Sequence, residues 1–174
     1  MAKRGLPPQT KHAMRDVVPL DTPYTVLISP TDYCNINCNF CAYHGPVGNP
    51  DEYDKVMTYD MFQEIIDQLA AFPHKISRLT FSGFGEPTMH PLLPEMMAYA
   101  NQKQVARQIM LVTNGLLFSP EYNQRLIDAG VDYIRISVPA IDNEKALEIT
   151  GHTIDVAEAY RANIRHLFEH KKII

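Results

Sequence analysis

The chain has 174 residues, an ordinary apolar share and a net charge of −4. That length holds one well-buried core and sets about one domain as the prior. No clustered basic face appears, so nucleic acid is not indicated as a partner. No run reaches the roughly 18 apolar residues of a spanning helix, so no membrane segment is expected. The N-terminal stretch from Met1 to Pro8 lacks the apolar core of a secretory leader. Free thiols without an export signal point to a reducing cytoplasm.

Residues 1–22 read as a polar, proline-marked arm, and residues 23–174 as one core in which strand and helix signals alternate. Tyr24 to Ser29, centred on Val26-Leu27-Ile28, reads as a buried strand. Cys34-Asn35-Ile36-Asn37-Cys38-Asn39-Phe40-Cys41 follows and holds all three cysteines of the chain. A long polar connection from His44 to Met57 comes next, punctuated by Gly45-Pro46, Gly48 and Asn49-Pro50, and is expected to cover the site as a lid. Thr58 stands as an N-cap, and Phe62, Ile65, Ile66 and Leu69 repeat at helical spacing before Pro73. Ile76 to Phe81 reads as a second strand that runs into Ser82-Gly83-Phe84-Gly85-Glu86-Pro87. Leu93, Met96, Met97 and Ala100 mark a second helix and its core face. Ile109 to Val112 is a third strand, ending at Thr113-Asn114-Gly115. Pro120 opens a third helix carrying Leu126 and Ile127, stopped by Gly130. Tyr133 to Val138 is a fourth strand, with Ser137 near its end. Ala157, Tyr160, Ile164, Leu167 and Phe168 share one face of a last helix. Lys172-Ile173-Ile174 then stands where a fifth strand would begin.

Strands alternating with helices predict an α/β fold of right-handed βαβ units on a parallel sheet. In such folds the chemistry sits at the C-terminal ends of the strands. The cysteines, the Gly83–Glu86 turn, Thr113-Asn114 and Ser137 all fall there, so separate loops converge on one rim. Three soft thiolates on one short loop suit a metal, and especially an iron–sulfur cluster. Their odd number prevents complete pairing as disulfides. On a [4Fe–4S] cluster they would leave one iron open to chelation by an α-amino and α-carboxylate group. Structural zinc is the alternative, with His44 completing a formal Cys3His set. A carboxylate at Glu86 beside glycines can accept from an ammonium while the backbone approaches closely. The blander alternatives are a solvated Glu86, a plain Asn-Gly turn at Asn114-Gly115, and a buried ion pair or cofactor contact for Arg135. His90 is the histidine to watch, whereas His12 and His74 read as surface residues.

These residues resemble the radical S-adenosylmethionine (SAM) enzymes from about Tyr24 to the C-terminus. Cys34, Cys38 and Cys41 match the family's C-x3-C-x2-C loop, and Phe40 its aromatic residue before the third cysteine. Gly83-Phe84-Gly85-Glu86-Pro87 is similar to its Gly-x-Gly-Glu-Pro element, and Thr113, Asn114 and Ser137 fall at further cofactor positions. The resemblance implies a [4Fe–4S] cluster held by Cys34, Cys38 and Cys41. It also implies SAM bound by Phe40, Gly83, Gly85, Glu86, Thr113, Asn114 and Ser137. By family analogy, one electron from the cluster cleaves SAM to a 5′-deoxyadenosyl radical that abstracts hydrogen from a substrate. Neither that substrate nor a catalytic side chain is identifiable. An electron donor such as flavodoxin or ferredoxin is implied as a partner.

Relatives form a partial barrel of about six βα units, of which about four are legible here. A truncated chain, a barrel completed by a second chain, or a compact non-catalytic variant would each account for this. The last leaves a cluster- or zinc-binding module as the second functional reading. An unfinished sheet would leave the fourth strand as an exposed edge. The acidic residue that often follows the fourth-strand serine is replaced by Val138-Pro139, which argues against the peptide-modifying branch.

Overall fold

The computed structural model describes residues 18–48, 55–138, 140, 142–151 and 158–171. Four strands form one parallel sheet in the order β1 (Thr25–Ile28), β2 (Arg78–Phe81), β3 (Ile109–Thr113) and β4 (Tyr133–Ile136). Helices alternate with them: α1 (Tyr59–Ala70), α2 (Leu93–Gln102), α3 (Pro120–Asp128), α4 (Asn143–Thr150) and α5 (Ala159–His170). This is the α/β fold on a parallel sheet that the alternating pattern predicts, and it matches about four units of the partial (βα) barrel that the resemblance implies. The spatial order follows chain order, as short connections between consecutive strands favour.

The register decides which side chains meet. Val26, Leu79 and Ile109 lie in one row, Ile28, Phe81, Leu111 and Ile134 lie in the next, and Ile136 pairs with Thr113 at the strand ends. These residues face the helices and share one apolar cluster with Phe62, Ile66, Leu93, Met96, Met97 and Leu126. Helix α1 starts where its cap residue dictates: the Thr58 hydroxyl accepts from the Met61 amide at 3.2 Å. Ser119 does the same for α3, accepting from Tyr122 N at 3.1 Å, and Pro120 fits the first turn.

Several expectations need correction. Val26-Leu27-Ile28 is not buried throughout, since Leu27 is 59% exposed. The reason is position: β1 is an edge strand, and Leu27 points away from the helices. Arg135 is exposed, not buried in an ion pair, because it projects from that same face of the edge strand β4. On α5, Tyr160 and Leu167 are buried, but Phe168 is 68% exposed and lies off the packed face. Ala157, His12, the start of the expected fifth strand and residues 49–54 of the His44–Met57 connection lie outside the described residues. Helix α4 was not expected at all. Only Ala146 and Thr150 are buried on it, too little apolar surface to leave a readable period.

Candidate active site at the strand rim

The turn after β2 is fixed by close approach. A Cβ on Gly85 would stand 2.3 Å from Tyr33 O, and one on Gly83 would stand 2.2 Å from Ser29 Oγ. Gly83 also has a φ of +152°, which L side chains rarely adopt. The turn can therefore lie against the segment that leads from β1 into the cysteines. Glu86 N donates to Tyr33 O at 2.7 Å, and Phe84 N donates to Ser29 Oγ at 3.2 Å. Ser29 and Tyr33 carry this junction without any sequence motif to flag them.

Glu86 is buried at 3% exposure, and its carboxylate binds the rim together. Oε1 accepts from Thr88 N at 3.0 Å, Thr88 Oγ1 at 2.6 Å and Thr113 Oγ1 at 2.6 Å, while Oε2 accepts from Asn114 N at 2.7 Å. A carboxylate has about four acceptor positions, two on each oxygen, so the free capacity lies on Oε2. The solvated alternative for Glu86 is thus excluded by burial. Its carboxylate spans the ends of β2 and β3, a task that spacing along the chain does not reveal.

Thr113 and Asn114 are likewise more than a turn. Thr113 Oγ1 also accepts from Gly115 N at 2.9 Å, and Asn114 Oδ1 accepts from Leu116 N at 3.0 Å. Asn114 Nδ2 reaches across to Asn35 Oδ1 in the cysteine loop at 2.7 Å. Tyr160 of α5 donates its hydroxyl to Asn114 O at 2.9 Å. Burial raises the Tyr160 phenol above its ordinary value, and the charge of Glu86 adds to this.

The three cysteines are unpaired and half-buried. Burial pushes the Cys34 thiol up to about 11, opposed by a hydrogen bond from Ile36 and reinforced by Glu86, Cys38 and Cys41. Burial also raises Cys38, with Cys41 adding to it. Cys34 and Cys38 rest on a small apolar cluster of Ile36, Ala146 and Tyr160. Cys41 Sγ accepts from His44 N at 3.3 Å. Tyr43 packs on Phe84 with ring centroids 4.2 Å apart, a second link between this loop and the β2 turn.

The remaining expected residues sort by exposure. Phe40 is 74% exposed beside Cys41, and Ser137 is exposed at the end of β4, its amide donating to Thr113 O at 2.8 Å. His90 is buried at 2% between Met57 O, 2.9 Å from Nε2, and Leu92 N, 3.1 Å from Nδ1. Both nitrogens are engaged, so His90 ties the β2 loop to the start of α1. His74 is a surface residue, with Nε2 3.6 Å from Asp21 Oδ2.

The geometry defines a class: a parallel α/β half-barrel with a three-thiol loop and a glycine–glutamate turn at the C-terminal ends of its strands. Residues 28–173 match the model of the radical SAM superfamily, and the chain belongs to that family. It is 32% identical over 124 residues to a probable GTP 3′,8-cyclase of Methanococcus maripaludis, covering 71% of this chain and 39% of that protein. It is 31% identical over 147 residues to a GTP 3′,8-cyclase of Aquifex aeolicus, covering 84% and 45%. The solved structure of native anSMEcpe with bound AdoMet superposes with a TM-score of 0.62 at 21% identity, covering 87% of this chain and 42% of that one. The chain therefore spans less than half the length of these curated relatives.

The family uses a [4Fe–4S] cluster and SAM, and the donor chemistry of the residues present suits that pair, although among the described residues no three His, Cys, Asp or Glu side chains are gathered as a metal site. Cys34, Cys38 and Cys41 supply soft, unpaired donors on a single loop, which is the ligand chemistry of iron–sulfur centres. The close approach that Gly83 and Gly85 allow is to Ser29, Thr31 and Tyr33, so the two glycines seat the β2 turn against the segment that leads into the cysteine loop.

Proposed function

We propose that this chain is the cofactor-binding portion of a radical SAM enzyme, with Cys34, Cys38 and Cys41 as cluster ligands. Phe40, Gly83, Gly85, Glu86, Thr113, Asn114 and Ser137 frame the SAM site. When bound, the cluster supplies one electron to the SAM sulfonium, giving methionine and a 5′-deoxyadenosyl radical that takes hydrogen from a substrate. The observation that carries this reading is the junction of Glu86 N with Tyr33 O, which seats the glycine turn directly beside the entry to the cysteine loop.

The protein's part is placement. Glu86 holds the ends of β2 and β3 together, and Oε2 keeps acceptor capacity for a ligand ammonium. The exposed Ser137 hydroxyl and Phe40 ring offer a hydrogen bond and an apolar platform from opposite ends of the rim. The electron comes from a small carrier such as flavodoxin or ferredoxin. The names of the relatives make GTP the first substrate to try.

Anaerobic reconstitution followed by EPR tests the reading. A [4Fe–4S] signal that changes on adding SAM, with 5′-deoxyadenosine formed under reducing conditions, is the expected result. Replacing Cys34, Cys38 or Cys41 by Ala abolishes that signal. Iron and sulfide retained at wild-type levels in those variants would overturn the ligand assignment. A cluster indifferent to SAM would leave a binding module without turnover.

A further inference from the structure

Helix α4 ends on the cysteine loop, and the loop consumes its last carbonyls. An α-helix leaves about four C-terminal carbonyls without partners of its own. In α4, Leu147 O accepts from Gly151 N at 2.9 Å, which closes the cap at a left-handed φ of +69°. The next three carbonyls go to the loop. Glu148 O accepts from Asn39 Nδ2 at 3.4 Å, Ile149 O from Asn39 N at 2.7 Å, and Thr150 O from Asn37 N at 2.9 Å. Asn37 and Asn39 flank Cys38, so that ligand is held between two anchored amides. Behind it, Ala146 of α4, fully buried, packs in one cluster with Ile36 and Tyr160.

We infer that α4 is a positioning element for the cluster-binding loop, setting Cys38 in place and biasing the cluster toward a low reduction potential. The inference rests on the cluster reading above. Its physical basis is twofold. Amides that donate to cluster or ligand sulfur stabilise the more negative, reduced state and raise the potential. Amides of Asn37 and Asn39 are committed to α4 and are not available for that donation. The helix end also turns its carbonyl oxygens, the negative side of the peptide dipoles, toward the loop, which disfavours an added electron nearby. Both effects have the same sign.

The test uses Gly151→Val, which forces a β-branched residue into a left-handed cap, and Ala146→Gly, which weakens the same helix without strain. In the metal-free wild-type chain, the Asn37 and Asn39 amides should exchange slowly with deuterium. In both variants they should exchange about tenfold faster or more, while Ser82 N, bonded to Ile28 O in the sheet, stays protected. After reconstitution, the cluster midpoint potential should move upward in both variants at unchanged iron content. Fast exchange in the wild type, or protection unaltered in both variants, would overturn the anchor. Protection lost with an unchanged potential would overturn the redox role. A wild-type chain that takes up no cluster would sink the cluster reading and the redox role together, while the exchange result still decides the anchor.

Discussion

The two loops that build the rim are held in opposite ways. The β2 turn is locked by a carboxylate of its own, that of Glu86, buried and saturated on one oxygen by Thr88 and Thr113. The cysteine loop is held from outside, by the carbonyls of α4, by Asn114 and by the Tyr43–Phe84 contact, and its thiols stay half-exposed. Folding alone therefore satisfies most of the first loop's polar groups, leaving capacity on Oε2. The other keeps donors free at the surface, as a ligand-bearing loop must.

The sharpest way to break this contrast is at Glu86. Glu86→Ala leaves two backbone amides and two hydroxyls without their shared acceptor. A loss of about 3 kcal/mol or more is expected in urea unfolding of the metal-free chain. A Cys38→Ala variant should lose under about 1 kcal/mol in that assay while losing the cluster entirely. Equal costs for the two substitutions would show that the loops are not held differently.

Thr113→Val sharpens the same point with a smaller change. It removes one donor to Oε1 and one acceptor for Gly115 N, so about 1–2 kcal/mol should be lost. A neutral result would mean that Thr88 alone satisfies Oε1.

The next effect is a pH dependence. The Cys34 thiol titrates near 9 when unfolded and at about 11 when folded, so the folded chain binds more protons between these values. Stability should accordingly fall as pH rises through that window, and the fall should be smaller in Cys34→Ala. Urea midpoints at the two ends of the window measure it. The smallest effect is expected at Phe40, whose exposed ring contributes little to folding. Phe40→Ala should change stability by no more than about 0.5 kcal/mol while weakening SAM binding, which isothermal titration of the reconstituted protein would read.

The four strands, helices α1 to α3 and α5, and the convergence of motifs on one rim were legible along the chain. Each of these rests on a local signal: apolar periodicity, the Thr58 cap, Pro120 at the first turn of α3, or a glycine turn. Helix α4 was not legible, because an eight-residue helix with Ala146 and Thr150 as its buried residues carries almost no apolar stripe. The exposure of Leu27 and Phe168 was also hidden, since hydrophobicity alone does not say whether a neighbouring element covers a side chain.

The order of residues along the chain already held the chemistry on offer: three soft thiols in one loop, a glycine–glutamate turn and a parallel sheet to carry them. How those pieces are held is a property of the folded chain. Glu86 meets Thr113 and Asn114 across 27 and 28 residues, and Asn39 meets Glu148 across 109. Such contacts depend on strand register and helix docking, which no short stretch of the chain contains.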